Sequence, residues 1–176
     1  VGRTVYYVAS SLDGFIATPD HSLDWLLTRE VDDDGPMGIT PFLAGVGAIV
    51  TGSATYEWVR AYQDAWDYTV PTWVLTHREL APPPGADVRF ARGDVRAVHA
   101  EMVAVAGERD RWIVGGGEVV GQFADAGLLD EVVIAYAPVT LGAGAPLLPR
   151  RLELRLTELA RNGEFACARY DVVRPG

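Results

Sequence analysis

The stretch Trp112-Ile113-Val114-Gly115-Gly116-Gly117-Glu118-Val119-Val120 has the residue types and order to bind an anion. An apolar strand runs into three consecutive glycines and straight on into a helical pattern. Glycine tolerates positive φ and lets a ligand approach the bare backbone. Set between a strand and a helix start, it aims unpaired N–H groups and the positive end of the helix dipole at one point. A phosphate or diphosphate suits such a turn. A second junction of the same kind, Ala48-Ile49-Val50-Thr51-Gly52-Ser53-Ala54-Thr55-Tyr56-Glu57, could take the other end of a diphosphate. No Gly-Lys-Ser/Thr follows either one, which excludes a P-loop. Gly115, Gly117 and Gly121 come close to the Rossmann fingerprint, but late in the chain rather than after the first strand, which disfavours a Rossmann domain.

The remaining reactive side chains are scattered. His77, Arg78, Arg89 and Arg92 fall close together and form either a basic spot beside an anion or a solvated rim. The lone cysteine, Cys167, lies in a strand pattern and reads as a small packed side chain. A metal hydrolase built on His21, His77 and His99 with the acidic run Asp32-Asp33-Asp34 is rejected, because their spacing matches no ligand pattern.

The elements that position these residues alternate. Arg3–Ala9 reads as a β-branched and aromatic strand, broken by Ser11-Leu12-Asp13-Gly14 and resumed briefly at Phe15-Ile16-Ala17. Thr18–Pro36 is loop-like around Leu23-Asp24-Trp25-Leu26-Leu27. A helix over Met37–Ala44, a buried strand over Gly47–Thr51 and a helix over Ser53–Tyr62 follow. Strands are expected at Pro71–Thr76 and Val88–Ala91, with a helix capped by Asp94 that lines one face with Val95, Val98, Met102 and Val105. After the triple glycine come a helix ending near Gly127 and a long apolar strand over Asp130–Val139. Leu152, Leu154 and Leu156 alternate with polar residues as a half-exposed strand does, and Asn162-Gly163 turns the chain into a strand over Phe165–Val173. Strands alternating with helices and closed by a hairpin describe an α/β sandwich: a mainly parallel central sheet with an antiparallel C-terminal hairpin, in one domain spanning 1–176.

At 176 residues, 49% hydrophobic and 22% charged, the chain is an ordinary globular protein. No apolar run approaches the roughly 18 residues of a membrane span, and no basic n-region precedes an apolar h-region, so a cytoplasmic protein is expected. A net charge of −9 argues against a nucleic-acid partner, whose phosphates would need neutralising by Lys and Arg.

The ordered set Ala9-Ser10-Ser11-Leu12-Asp13-Gly14-Phe15-Ile16-Ala17, Trp25, Gly52-Ser53-Ala54-Thr55-Tyr56-Glu57, Val74-Leu75-Thr76-His77-Arg78, Ile113-Val114-Gly115-Gly116-Gly117 and Pro138-Val139-Thr140-Leu141-Gly142-Ala143-Gly144 spans nearly the whole chain. With it the chain resembles the dihydrofolate reductase superfamily, in the branch related to the C-terminal reductase domain of the bifunctional deaminase-reductase of bacterial riboflavin biosynthesis. The resemblance implies a dihydrofolate-reductase-like three-layer sandwich and NADPH bound across the C-terminal edges of the strands. Backbone groups of Ala9 and Ile16 would hold the nicotinamide carboxamide. Gly52, Ser53, Ala54 and Thr55 would take one end of the diphosphate, and Gly115, Gly116, Gly117, Glu118 and Val119 the other. Leu75, Thr76, His77 and Arg78 match the segment around the adenosine and its 2′-phosphate. It also implies a cis peptide between Gly115 and Gly116, and a homodimer, for which the strands over Asp130–Val139 and Leu152–Val173 offer apolar edges or faces.

The substrate half departs from the pattern. The riboflavin reductases usually carry lysine where this chain has Tyr7, and a Thr-Val…Asp-x-Pro segment where it reads Thr55-Tyr56-Glu57-Trp58-Val59. Dihydrofolate reductase needs a buried carboxylate a few residues after the tryptophan, and counting five from Trp25 reaches Glu30. The expected activity is an NADPH-dependent reductase of a small pterin- or pyrimidine-like heterocycle. Trp25 would wall the substrate pocket, between the Leu12–Ala17 and Trp25–Glu30 segments and the start of the Met37–Ala44 helix. Glu30, then Asp24, Tyr7 or an ordered water would supply the proton. The alternative is a nucleotide-binding sensor that keeps the fold without turnover.

Overall fold

A computed structural model describes residues 1–62 and 66–175. The chain runs through β1 (Thr4–Ser10), β2 (Phe15–Ala17), α1 (Asp24–Leu27), α2 (Ile39–Ala44), β3 (Val46–Gly52), α3 (Ser53–Tyr62), β4 (Thr72–Leu75) and β5 (Val88–Ala91). It continues with α4 (Val95–Ala106), β6 (Asp110–Gly115), α5 (Gly117–Asp125), β7 (Glu131–Tyr136), β8 (Ala145–Pro146), β9 (Leu154–Asn162) and β10 (Phe165–Val172). Eight strands form one sheet in the order β5-β4-β3-β6-β1-β7-β10-β9, and β2 pairs with β8 apart from it. From β5 to β7 the pairings are parallel; β10 runs antiparallel to both β7 and β9. The expected mixed sheet is the one observed.

Successive strand residues face opposite sides of a sheet, so two apolar layers arise from one strand set. Tyr6, Val50, Trp73, Ile113, Val132 and Ile134 point to one face, where they pack with Val95, Val98 and Met102 of α4 and Val120 and Phe123 of α5. Tyr7, Ile49, Trp112 and Val114 point to the other, under Ile39, Phe42 and Leu43 of α2. Tyr56 of α3 covers Val74 and Val88 on that same side. Burial on both faces is why the parallel strands read as near-continuous apolar runs.

Several strand ends differ from the sequence expectation by a residue or two, β7 ends three residues early at Tyr136, and the following differences bear on packing. Met37 lies outside α2 with φ +53, so the helix starts at Ile39. The loop before it also holds a single helical turn, α1. At the end of the chain Asn162 pairs with Phe165, which makes Gly163 and Glu164 the turn residues, one position later than expected. Gly163 has φ +55, as a two-residue turn of type II′ requires of its first central residue. Asn162 is buried instead: it accepts from the Asp32 amide at 2.9 Å and donates to the carbonyls of Asp32 and Pro36.

Candidate functional site

The C-terminal ends of β3 and β6 lie side by side, with Thr51 opposite Gly115. The two helices that follow, α3 at Ser53 and α5 at Gly117, therefore start next to each other. A Cβ on Gly52 would stand 3.0 Å from Cγ2 of Val119, so the two helix starts are in contact. The Thr51 hydroxyl donates to the Gly115 carbonyl at 3.3 Å and ties the strands together below the cleft. The Gly115–Gly116 peptide is cis and Gly115 has φ +137, a conformation glycine alone holds comfortably.

The glycines do different jobs. A Cβ on Gly116 would meet only Cδ1 of Ile16, at 3.7 Å, an ordinary contact. One on Gly117 would stand 2.4 Å from the Pro146 carbonyl oxygen, so this glycine makes room for the chain's own backbone rather than for a ligand. The first-turn amides of a helix have no intrahelical acceptor. Gly116, as the N-cap of α5, offers no side chain to satisfy them.

The loop after β1 is held over this cleft. The Asp13 carboxylate accepts from the Ser11 hydroxyl at 2.6 Å and from the amides of Leu141 and Gly142 at 3.0 and 2.7 Å. The Ser11 hydroxyl and these amides hold its pKa at about 2. The Leu147 amide donates to the Gly14 carbonyl and the Tyr6 hydroxyl to the Leu147 carbonyl, fastening the 145–150 segment underneath. This frame brings Ile16 against Gly116. Asp13 and the Pro146–Leu147 segment are the parts of the site that sequence reasoning missed. Asp-Gly three residues into the loop was the available signal for Asp13, because Asp caps nearby amides in turns.

On the other flank, Leu75 ends β4 and the buried Thr76 donates its amide to the Ala91 carbonyl and accepts from the Arg78 amide at 3.0 Å. His77 is exposed, and Arg78 is paired with Glu57 of α3 at 2.8 Å. Of the other basic residues in this stretch, Arg89 forms a two-point pair with Asp87 and lies 4.7 Å above the Trp73 ring. Glu118 directs its carboxylate to Arg150 at 2.9 Å, which leaves its amide as the group it could offer a ligand.

The substrate side is arranged otherwise than expected. Trp25 is buried with Ala137, Phe165 and Cys167 and is part of the core. Glu30 is exposed; its amide and carbonyl bracket Glu164 in the β9–β10 turn, so its position is set by that turn and its carboxylate faces solvent. Asp24 is exposed at the start of α1. Tyr7 stacks on Phe42 at 4.2 Å and donates to the Met37 carbonyl at 2.6 Å; burial pushes its pKa up to about 12. Beside them runs a half-open cavity of about 250 Å³ along Tyr7, Met37, Phe42, Glu158 and Arg169, reaching Gly45 and Asp110 at the starts of β3 and β6. Of the three segments named for a substrate pocket, this cavity touches the start of α2 alone. Among the described residues no group of three His, Cys, Asp or Glu side chains converges as metal ligands would.

Residues 4–165 match the RibD C-terminal domain family, and the chain belongs to it. It is 33% identical over 171 residues to the uncharacterized protein YwjB of Bacillus subtilis, an alignment covering 96% of this chain and 97% of that protein. A candidate riboflavin biosynthesis protein from Shewanella sp. PV-4 has a similar structure, with a TM-score of 0.83 at 26% identity over 98% of this chain and 99% of the other. The fold is shared with Enterococcus faecalis dihydrofolate reductase complexed with NADP(H) and RAB-propyl, with a TM-score of 0.60 at 18% identity over 97% and 96% of the two chains.

Proposed function

We propose that this member of the RibD C-terminal domain family is an NADPH-dependent reductase of a small pterin- or pyrimidine-like heterocycle. The observation that carries the reading is the meeting of two helix N-termini at Thr51 and Gly115, with α5 left uncapped by any side chain. The amides of Ser53, Ala54 and Thr55 on one side and of Gly117, Glu118 and Val119 on the other fit a diphosphate, a ligand that brings its own acceptors. Leu75, Thr76, His77 and Arg78 would flank the adenosine and its 2′-phosphate. Ala9 and Ile16 would offer backbone groups to the carboxamide. When bound, NADPH supplies the hydride, and the protein supplies orientation and exclusion of water.

Alternate residues of a strand share a face, so Tyr7 lies beside Ala9 on the side away from α4 and α5. We place the substrate there, over Tyr7 and Phe42, where a cavity of about 250 Å³ suits a single small ring system. Protonation is the open step. Among the described residues Glu131 is the buried carboxylate, and it sits opposite Val5, four residues along β1 from Ala9. At 3.3 Å per residue that is roughly 13 Å from the nicotinamide position. The Tyr7 hydroxyl is engaged by Met37. We therefore assign the proton to water, in place of Glu30, Asp24 or Tyr7.

The carboxylates that line the cavity are both engaged, Glu158 by Arg169 at 3.0 Å and Asp110 by the Arg3 amide at 2.8 Å, which favours a second reading, a nucleotide-binding sensor without turnover. One assay separates them: NADPH consumption with a panel of pterins, pyrimidines and flavins. The reductase reading expects oxidation with at least one; NADPH binding with no oxidation across the panel supports the sensor. We place the protein in the cytoplasm, and no helix among the described residues is long and apolar enough to cross a membrane.

A further inference from the structure

Gly121, the last glycine of the run at 115, 117 and 121, is buried a turn inside α5. A Cβ there would stand 2.7 Å from Cζ of Arg150 and 3.0 Å from each of its Nη atoms, so the missing side chain lets the guanidinium lie on the helix. Glu118, Gly121 and Asp125 follow the i, i+3, i+7 spacing of one helix face. Arg150 fills the gap between the two acids. Its Nη1 and Nη2 donate to the Glu118 carboxylate at 3.3 and 2.9 Å, and its Nε donates to Asp125 at 2.9 Å. Nη1 also donates to the Pro149 carbonyl at 2.9 Å. Three acceptors and contact with the helix fix this arginine, whose side chain is 25% exposed.

Glu118 is the second residue of α5, in the turn whose amides lack acceptors. Side chains on a helix lean toward its N-terminus, and a first-turn carboxylate is drawn to the positive end of the dipole. Left alone, Glu118 would serve its own helix start as an internal anion and repel an external one. Arg150 binds it over the following turn instead, and no side chain caps the start. We propose that Arg150 is a positioning residue for the nucleotide site: by holding and neutralising Glu118 over Gly121, it keeps the first-turn amides of α5 open to a diphosphate. The role rests on the cofactor reading of the cleft, and Arg150 acts through Glu118 rather than by touching the ligand. Local neutralisation matters in a chain of net charge −9, which otherwise repels an anionic ligand.

Calorimetric titration with NADPH and, separately, with inorganic diphosphate tests the role. Arg150→Gln should weaken both by about tenfold, because an unpaired like charge then stands in the first turn. Adding Glu118→Gln to Arg150→Gln should return affinity to within about twofold of wild type, since the repelling acid leaves with the arginine. Gly121→Ala is a second route to the same state. The atoms it meets are the end of a flexible side chain, and alanine favours a helix, so it should fold and push Arg150 off Glu118. Its loss should likewise be rescued by Glu118→Gln. Circular dichroism checks the fold of each variant, and Gly121→Ala decides if Arg150→Gln does not fold. Undiminished binding in Arg150→Gln overturns the role. So does a loss that Glu118→Gln leaves in place, which would make Arg150 a direct ligand contact or a staple for the 145–150 segment. Diphosphate binding that follows the expected pattern without NADPH binding upholds Arg150 and removes the cofactor reading. A wild type that binds neither overturns both.

Discussion

Helices α4 and α5 pack into the same core on one face of the sheet and begin in opposite ways. At α4 the chain supplies its own anion: the Asp94 carboxylate accepts from the Arg96 amide at 2.9 Å. At α5 the equivalent position is Gly116, with no side chain to offer. Both helices face the same penalty for unsatisfied first-turn amides. α4 starts beside the C-terminal end of α5, around Gln122 and Ala126, and satisfies its start internally, while α5 leaves its own first amides without a side-chain cap where β6 and β3 end together. A helix start without its own acceptor, beside a second helix start, is a place for an acceptor from outside. In the proposed reading, the contrast separates a helix built only for packing from one built for packing and binding.

Giving α5 the cap that α4 has is the largest perturbation. A Cβ fits at Gly116, so Gly116→Asp should fold, and its carboxylate would occupy the amides meant for the diphosphate while repelling it. Losing about two charge-assisted hydrogen bonds corresponds to a fall in NADPH affinity of roughly a hundredfold or more. Calorimetric titration checks this, and unchanged affinity would remove α5 from the site.

Arg78→Ala comes next. A charged hydrogen bond to a 2′-phosphate contributes about 1.5–3 kcal/mol, but Arg78 must first leave Glu57, a surface pair worth about 0–1 kcal/mol. The difference is about a tenfold loss for NADPH with NADH unaffected. Equal losses for both cofactors would place Arg78 away from the 2′ position.

Removing the α4 cap is the mirror experiment. Asp94→Ala should cost about 1 kcal/mol of stability in urea unfolding and leave NADPH affinity unchanged, because the capped start holds no ligand. A parallel loss of binding would erase the distinction between the helices.

The smallest effect concerns Asp13, which also caps the chain's own amides. Its folded pKa of about 2 lies below the ordinary 3.8, so its contribution is complete above roughly pH 4 and fades as pH falls toward 2. The Leu141 and Gly142 amide resonances should shift with a midpoint near pH 2 in wild type. Asp13→Asn should abolish that titration; a midpoint near 4 would mean that the clamp does not form in solution.

The proposed nucleotide half is legible in the sequence because its chemistry is main-chain chemistry, marked locally by glycine. The α3 and β5 boundaries were read to the residue, and the Asp94 cap was visible in the sequence. The substrate half depends on contacts between distant segments. Glu30 counts correctly from Trp25, but the β9–β10 turn docks on its backbone and its side chain stays outside. The resemblance implies Trp25 as a pocket wall, whereas Phe165 and Cys167, some 140 residues later, enclose it. The need for glycine at 117 comes from Pro146, with no local signal of that approach. Asn162-Gly163 looked like the turn itself, but burial of the Asn162 amide against Asp32 and Pro36 moved the turn by one residue.

A crystal soaked with NADP⁺ tests the central claim most directly. Diphosphate density should bridge the starts of α3 and α5, within hydrogen-bond distance of the Ser53, Ala54, Gly117 and Glu118 amides, with the nicotinamide over Ala9. Density for the cofactor elsewhere, or a cleft holding only solvent at saturating NADP⁺, would contradict it.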